Sequence, residues 1–446
     1  MIIRMNSSNS GLFLSSSSLL LLLLLSSSLS SPLLLLIPIS LLDIVTGSHV
    51  AYYNFKVLQM NISNPDILNT INNLYINEPE NYDIWSFPRG GNHSMYISVS
   101  PNGFNNLTRF LNNVHISYET VINNLQKAIL DEKRENHARR LSGFMRTGRQ
   151  RPYYKTYDEI IQYLDTLEQL NPYTTVETIG VTSEGRQIKG VMISLDPSKP
   201  IIWIDAGIHA REWIAPATAL SIINKLMRPS GQTLLKRFQF YIVPVINPDG
   251  YEYTRTKYRM WRKNRAQTEG EVCIGIDLNR NFPFKWGVGN GASPHACSET
   301  YRGSEAASEL ETQSLIGKLN ALHKNVVLYL SLHSFGQYIL TPFGFSRYSF
   351  PPHYEKLITM GRKVRKMIQN RHGYVYQVGA SSELLYEASG ATDDYAAGEL
   401  KIPYAYTIEL CDEGRYGFLL PPSYIGQVGR QVWTALNVFA NDIYPS

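Results

Sequence analysis

The chain has 446 residues, 43% hydrophobic and 11% aromatic, which is enough apolar material for two or three globular domains and excludes a disordered or fibrous chain. Forty-two basic against 37 acidic residues give a formal charge of +5, too small and too dispersed along the sequence to indicate a nucleic-acid surface, and no partner is assigned to it. Three cysteines exclude a disulfide-built scaffold; in an oxidising compartment Cys273 and Cys297 could close one bridge, leaving Cys411 free.

At the N-terminus, Arg4 precedes a Ser- and Leu-rich tract with apolar blocks at 19–25 and 33–42, ending in small residues near Gly47 and Ser48. This is the pattern of a secretory signal, assigned to residues 1–48, with a retained membrane anchor as the alternative. Residues 49–132 predict a small α+β domain. They are rich in asparagine, strand-like runs such as 96–100 alternate with helical ones, and 117–130 has amphipathic helical spacing. Sequons at Asn61, Asn92 and Asn106 suit the glycosylated surface of a secreted protein. A basic linker, 133–152, carries Arg134, Arg139, Arg140, Arg146, Arg149 and Arg151 among small and polar residues, and reads as a solvated hinge open to trypsin-like proteolysis.

Residues 153–446 predict one large α/β domain. Helical patterns at 158–170, 215–227, 306–323, 354–370 and 423–441 alternate with apolar runs at 201–208, 238–246, 326–333 and 403–410. Continuous β-branched and aromatic runs interleaved with helices indicate a mixed, mostly parallel central sheet covered on both faces. Such sheets carry ligands at the carboxyl ends of central strands, which draws attention to His209, Asn247, His333 and Glu409, the polar residues ending those runs.

Directly after the run 201–208, His209 and Glu212 offer an imidazole and a carboxylate three residues apart as the chain turns. His333 closes another apolar run in front of Ser334. Two such strand-end histidines beside a carboxylate match the three-ligand set of a catalytic zinc site, which keeps a fourth position open.

The run His209-Ala210-Arg211-Glu212-Trp213, with His333-Ser334, resembles the zinc motif of the metallocarboxypeptidase A and B family. Further blocks follow in the family's order: Asn247-Pro248-Asp249-Gly250, Trp261-Arg262-Lys263, Asp277-Leu278-Asn279-Arg280-Asn281, Tyr386-Glu387-Ala388-Ser389-Gly390 and Ile408-Glu409-Leu410. The stretch from Gly414 to Pro421 is also very similar. Together they cover the chain from about Tyr154 to its end, and the preceding segment resembles the family's activation domain more loosely.

The resemblance implies a secreted zymogen of a zinc peptidase that cleaves the last peptide bond of its substrate. One zinc ion would be held by His209, Glu212 and His333, with Asp277 orienting the His209 ring. Glu409 matches the general base and Arg262 the residue stabilising the oxyanion. Arg280, with Asn279 and Tyr386, matches the clamp on the terminal carboxylate, for which a guanidinium fork is suited. Arg211 and Ser334 match substrate contacts, and Cys273–Cys297 the family's disulfide. Cys411 departs from the usual basic residue beside the catalytic glutamate, and Phe335 replaces a tyrosine found in some members.

Seven residues after Tyr386 stands Asp393, where the family places the base of its specificity pocket, apolar in A-type and aspartate in B-type enzymes. Gly344 and Ser381 match pocket-wall positions. The expectation is therefore removal of C-terminal Lys or Arg, against an A-type preference or a non-catalytic peptide-binding relative. The expected partners are peptide C-termini and an activating trypsin-like protease, with no nucleic acid and a monomeric enzyme.

Overall fold

The computed structural model describes residues 50–88, 94–145, 151–268 and 270–444. The expected signal tract, Asn92, Arg146 and Arg149 lie outside the described residues. Two sheets organise the rest. The first is four-stranded and antiparallel, in the order β2-β3-β1-β4, from β1 (Lys56–Asn61), β2 (Tyr82–Ser86), β3 (Ser94–Val99) and β4 (Tyr118–Ile122). Two helices, Pro65–Asn77 and Pro101–Asn113, cover it; each begins with proline after a capping side chain, Asn64 and Ser100, that accepts first-turn N–H groups. Leu58, Met60, Ile71, Ile97, Leu107 and Leu111 form the core between them.

The second sheet has eight strands: β5 (Thr174–Val181), β6 (Gln187–Ile193), β7 (Ile201–Ala206), β8 (Gln239–Val243), β9 (Val326–Ser334), β10 (Tyr338–Thr341), β11 (Gln377–Ala380) and β12 (Tyr404–Leu410). Their order is β11-β10-β12-β9-β7-β8-β6-β5. The centre, β12-β9-β7-β8, is parallel, and antiparallel pairings flank it at β10/β12, β8/β6 and β6/β5. Helices Ile214–Leu226, Tyr354–His372 and Ile425–Ile443 contribute to one apolar core, and Leu310–Leu322 to a second around Trp203, Tyr241 and Tyr329. Every residue of β7 is buried, as a central strand covered on both faces requires.

The expected mixed α/β sheet and small α+β domain are both present. Two of the predicted elements differ in kind from what forms. Residues 117–130 are not one helix: Tyr118, Glu119, Thr120 and Ile122 pair with β1, and a helix begins only at Leu125. That helix, Leu125–Met145, also replaces much of the expected hinge, placing Arg134, Arg139 and Arg140 on regular structure. Its polar surface is laced by Lys127–Asp131 and Arg139–Glu135 pairs at i,i+4 spacing, while Leu125, Ile129 and Glu132 are buried. Cys273 and Cys297 are disulfide-bonded, and Cys411 is buried with its thiol pushed up to about 11, chiefly by that burial. A thiol of that kind is poorly reactive. Among the described residues no helix is long and apolar enough to cross a membrane.

Candidate active site

The parallel centre of the large sheet sets the site, because β7, β9 and β12 all deliver polar residues at their carboxyl ends. Beyond β7, Gly207 has φ +66, and a Cβ there would press on Pro216 and the Val245 backbone; glycine lets the chain turn sharply into His209. Asn247, beyond β8, donates to the carbonyls of Ile208 and Lys263 and caps the following helix through Gly250 N–H. It therefore ties together the segments carrying His209 and Arg262. His333 and Glu409 are register partners across β9 and β12, so they project side by side from one face.

His209 Nδ1 lies 2.8 Å from one Glu212 oxygen, His333 Nδ1 lies 3.2 Å from the other, and the two Nδ1 atoms are 3.2 Å apart. All three residues are buried. Ligands at about 2.05 Å from a tetrahedral ion are separated by about 3.3 Å, so these donors fit zinc. A carboxylate facing two imidazoles is also the donor chemistry that zinc prefers. The opposite nitrogen of His209 is 3.2 Å from Asp277, which fixes the ring from behind.

Asp277 is fully buried, and burial would raise its pKa. Arg262, Arg280 and His209 outweigh that and hold it well below the usual carboxylate range. Arg262 donates to Asp277 through Nε and Nη2, at 3.2 and 2.8 Å, leaving its guanidinium at the cleft wall. Arg280 is oriented by Gly291 O, Asn279 O and, at 3.4 Å, Tyr386 Oη. Asn279 in turn accepts from Thr392 N–H, joining this group to the chain that carries Asp393.

Asp393 borders the cleft and is 3% exposed. Thr407 Oγ1 donates to it at 3.0 Å and Ser381 Oγ at 3.5 Å, and its pKa is raised, first by burial. Asp394 has a different task. It accepts from Gly344 and Phe345 N–H at 2.7 and 2.9 Å, anchoring the opposite pocket wall. Gly344 leaves that wall low, since a Cβ would stand 3.1 Å from Ala388 O.

The cleft encloses about 810 Å³, and part of its boundary comes from the small domain: Tyr75, Ile84, Trp85 and Phe87 face His209, Arg262 and Glu409 across it. From β2, Asp83 accepts from Arg211 at 3.0 and 3.1 Å. Trp85 packs on Phe418 and Phe87 on Tyr386. Arg211, expected to touch substrate, is thus occupied by an internal carboxylate. A second bridge is deeper: Glu132, on the helix after β4, makes two bonds to Arg259, and both side chains are buried. Asp83, Glu132, Arg259 and Phe418 had no role in the sequence reading. No motif marks Asp83, Glu132 or Arg259, and the family-like stretch that contains Phe418 does not show its partner, because each partner lies more than a hundred residues away.

A buried His/Glu/His cluster with an oriented imidazole, a strand-end carboxylate and a pair of cleft arginines defines a metal-dependent hydrolase site under a covering domain. Comparison with known proteins makes this specific. Residues 160–435 match the family model described as "Zinc carboxypeptidase", and residues 58–132 match "Carboxypeptidase activation peptide". The chain belongs to the zinc carboxypeptidase family and is built as a zymogen. It is 41% identical over 293 residues to "Carboxypeptidase B" of Astacus astacus, covering 65% of this chain and 96% of that one. To "Carboxypeptidase A1" of Homo sapiens it is 33% identical over 409 residues, covering 90% and 96%. Among solved structures, thrombin activatable fibrinolysis inhibitor superposes with a TM-score of 0.79 at 31% identity, covering 88% of this chain and 99% of that one. Carboxypeptidase A from Helicoverpa armigera gives 0.79 at 29%, covering 89% and 98%.

Proposed function

We propose that this protein is a secreted, monomeric B-type enzyme that removes C-terminal lysine or arginine from peptides after a trypsin-like protease releases residues 49–132. The observation carrying the B-type reading is the buried Asp393 carboxylate at the cleft wall, flanked by Ser381, Thr407 and the low wall at Gly344. A cationic side chain entering there would pair with it, whereas a neutral one would leave a buried charge uncompensated. An A-type pocket would need an apolar group in that place. A non-catalytic relative would be expected to have lost part of the metal cluster, Glu409 or Arg280, and all are present. The named relatives include both A and B types, and the carboxylate at the pocket floor is what supports the B-type reading.

In this reading His209, Glu212 and His333 hold one zinc ion, which when bound polarises the scissile carbonyl and acidifies water. Arg280, Asn279 and Tyr386 hold the terminal carboxylate, and Ser334 and, once Asp83 has left, Arg211 contact the residues before it. Arg262 stabilises the charge developing on the carbonyl oxygen. Glu409 takes a proton from the attacking water and returns it to the leaving amine. Asn61, Asn92 and Asn106 are the proposed glycan acceptors.

The test is a peptide series differing only in the last residue. Wild type should cleave C-terminal Arg or Lys fastest, and Asp393→Ile should lower kcat/KM for Arg by roughly two orders of magnitude or more while raising it for Phe or Leu. If wild type removes Phe or Leu faster than Arg, the pocket reading fails while the metal chemistry stands.

A further inference from the structure

Charge that is scattered along the sequence is concentrated in space on the helical layer. The helix Ile425–Ile443 packs against both Ile214–Leu226 and Tyr354–His372. Five cationic or protonatable side chains gather where their ends meet: Lys225 and Arg228, Arg371 and His372, and Arg430. Arg228, Arg371 and Arg430 are exposed, and the other two are half-buried. Lys225 is lowered by burial and then by Arg228 and Arg430; His372 is lowered by burial and then by Arg430, Arg371 and Lys225. Lys225 Nζ lies over the Trp433 ring at 5.5 Å, within a turn of Arg430 on the helix Ile425–Ile443. His372 is also pinned, with Nε2 2.9 Å from Thr434 Oγ1.

A cluster of like charges on a folded surface costs stability unless something neutralises it. Elsewhere on these helices neutralisation is internal, as where Lys363 pairs with Asp442 at 2.8 Å. Among the described residues no ion pair is formed by any of the five, and none of them borders the cleft. Three of the five are arginines, whose forks bind sulfate or phosphate oxygens through paired donors. The charges come from three packed helices, so they form a fixed, spread surface better matched to an extended polyanion than to one small ion.

We propose that this patch is a docking surface for a sulfated polysaccharide, which would hold the enzyme at a matrix or cell surface while leaving the cleft free. The choice of an extracellular polyanion rests on the secreted reading. The patch itself is independent of the pocket assignment, and so is its test.

Heparin is the probe. The intact chain is applied to immobilised heparin and to a sulfopropyl resin, and its affinity for heparin and for phosphatidylserine vesicles is measured at near-physiological salt. Wild type should require more salt to elute from heparin than from sulfopropyl, and should bind heparin more tightly than vesicles. Arg371→Gln/Arg430→Gln should weaken heparin binding at least tenfold. Arg362→Gln/Lys366→Gln removes the same charge from exposed positions; Arg362 is nine residues from Arg371, half a turn round the helix, and this variant should change heparin affinity little. Protease-activated hydrolysis of a short peptide should be the same in all three proteins, showing that they are folded. Equal elution from both resins, equal loss in the two variants, unchanged heparin binding in Arg371→Gln/Arg430→Gln, or a preference for vesicles would each overturn the proposal.

Discussion

Glu409→Gln keeps the side chain's length and its place beside His333 but removes the proposed base. Turnover of the activated enzyme should fall by roughly two to four orders of magnitude while zinc content, read by metal analysis, stays the same. His333→Ala should instead lose the metal. Undiminished turnover in Glu409→Gln would remove that residue from the chemistry. A different carboxyl gives stability a dependence on pH. Glu311, in the first turn of the helix Leu310–Leu322, is buried beside Glu309, and Asn264 Nδ2 donates to both. Burial first, with Glu309 and Asp249 adding to it, pushes Glu311 up to about 7. The folded state therefore holds this proton more tightly than the unfolded chain does. That contribution is complete below the unfolded value of about 4.5, declines as pH rises, and is lost above about 7; its size is on the order of 3 kcal/mol. Glu311→Gln should flatten the Tm profile between those pH values and raise Tm at pH 8. A wild-type profile with no fall across that window would contradict the shift.

Among the elements, the helix Leu125–Met145 shows both the reach and the limit of reading the sequence. The four central strands β7, β8, β9 and β12 were legible within about three residues because each is a continuous apolar run, and their polar ends named His209, His333 and Glu409 directly; β5, β6, β10 and β11, short or partly exposed, were not singled out. Helix ends were less so: apolar spacing suggested a start at 306, but the helix begins at Leu310. Residues 117–130 misled because Tyr118, Thr120 and Ile122 alternate as a strand while Leu125 and Ile129 repeat as a helix, and one window blends the two periods. The arginines after it read as a hinge because charge and small residues look alike whether a helix is solvated or absent. Above all, Glu132 could not be singled out, since nothing local distinguishes a glutamate that meets Arg259 from one that meets water. Glu132→Ala leaves that arginine buried without its carboxylate, and should lower the stability of the intact chain by roughly 3–5 kcal/mol. The same substitution should leave Tm of the activated enzyme unchanged, because the helix segment carrying it has been released. Calorimetry before and after proteolysis separates the two.

For the whole molecule, the small domain and the metal cluster define two switches that can be thrown separately. The intact chain should hydrolyse C-terminal Arg peptides slowly, gain activity on cutting between Arg139 and Arg151, and lose it again with a chelator until zinc is restored. Full activity in an uncut chain with the linker arginines replaced would refute the covering role of the small domain. Asp83→Ala, which frees Arg211, should raise the residual activity of the uncut chain while leaving the activated enzyme as it was.

The two bridges from the small domain, Asp83 to Arg211 and Glu132 to Arg259, are non-covalent and lie on the N-terminal side of every candidate cut. Severing the linker therefore changes connectivity without removing a single one of these contacts. The cut converts a tethered cover into a free inhibitor at the same local position, and activity then waits on its departure. The time course should show a lag between loss of the intact band and appearance of hydrolysis. Dilution after cutting should raise the final activity, added free prosegment should lower it, and Glu132→Ala should shorten the lag without altering the rate at which the linker is cleaved. Proteolysis would then set when the enzyme can be switched on, and the dissociation rate of the prosegment how abruptly.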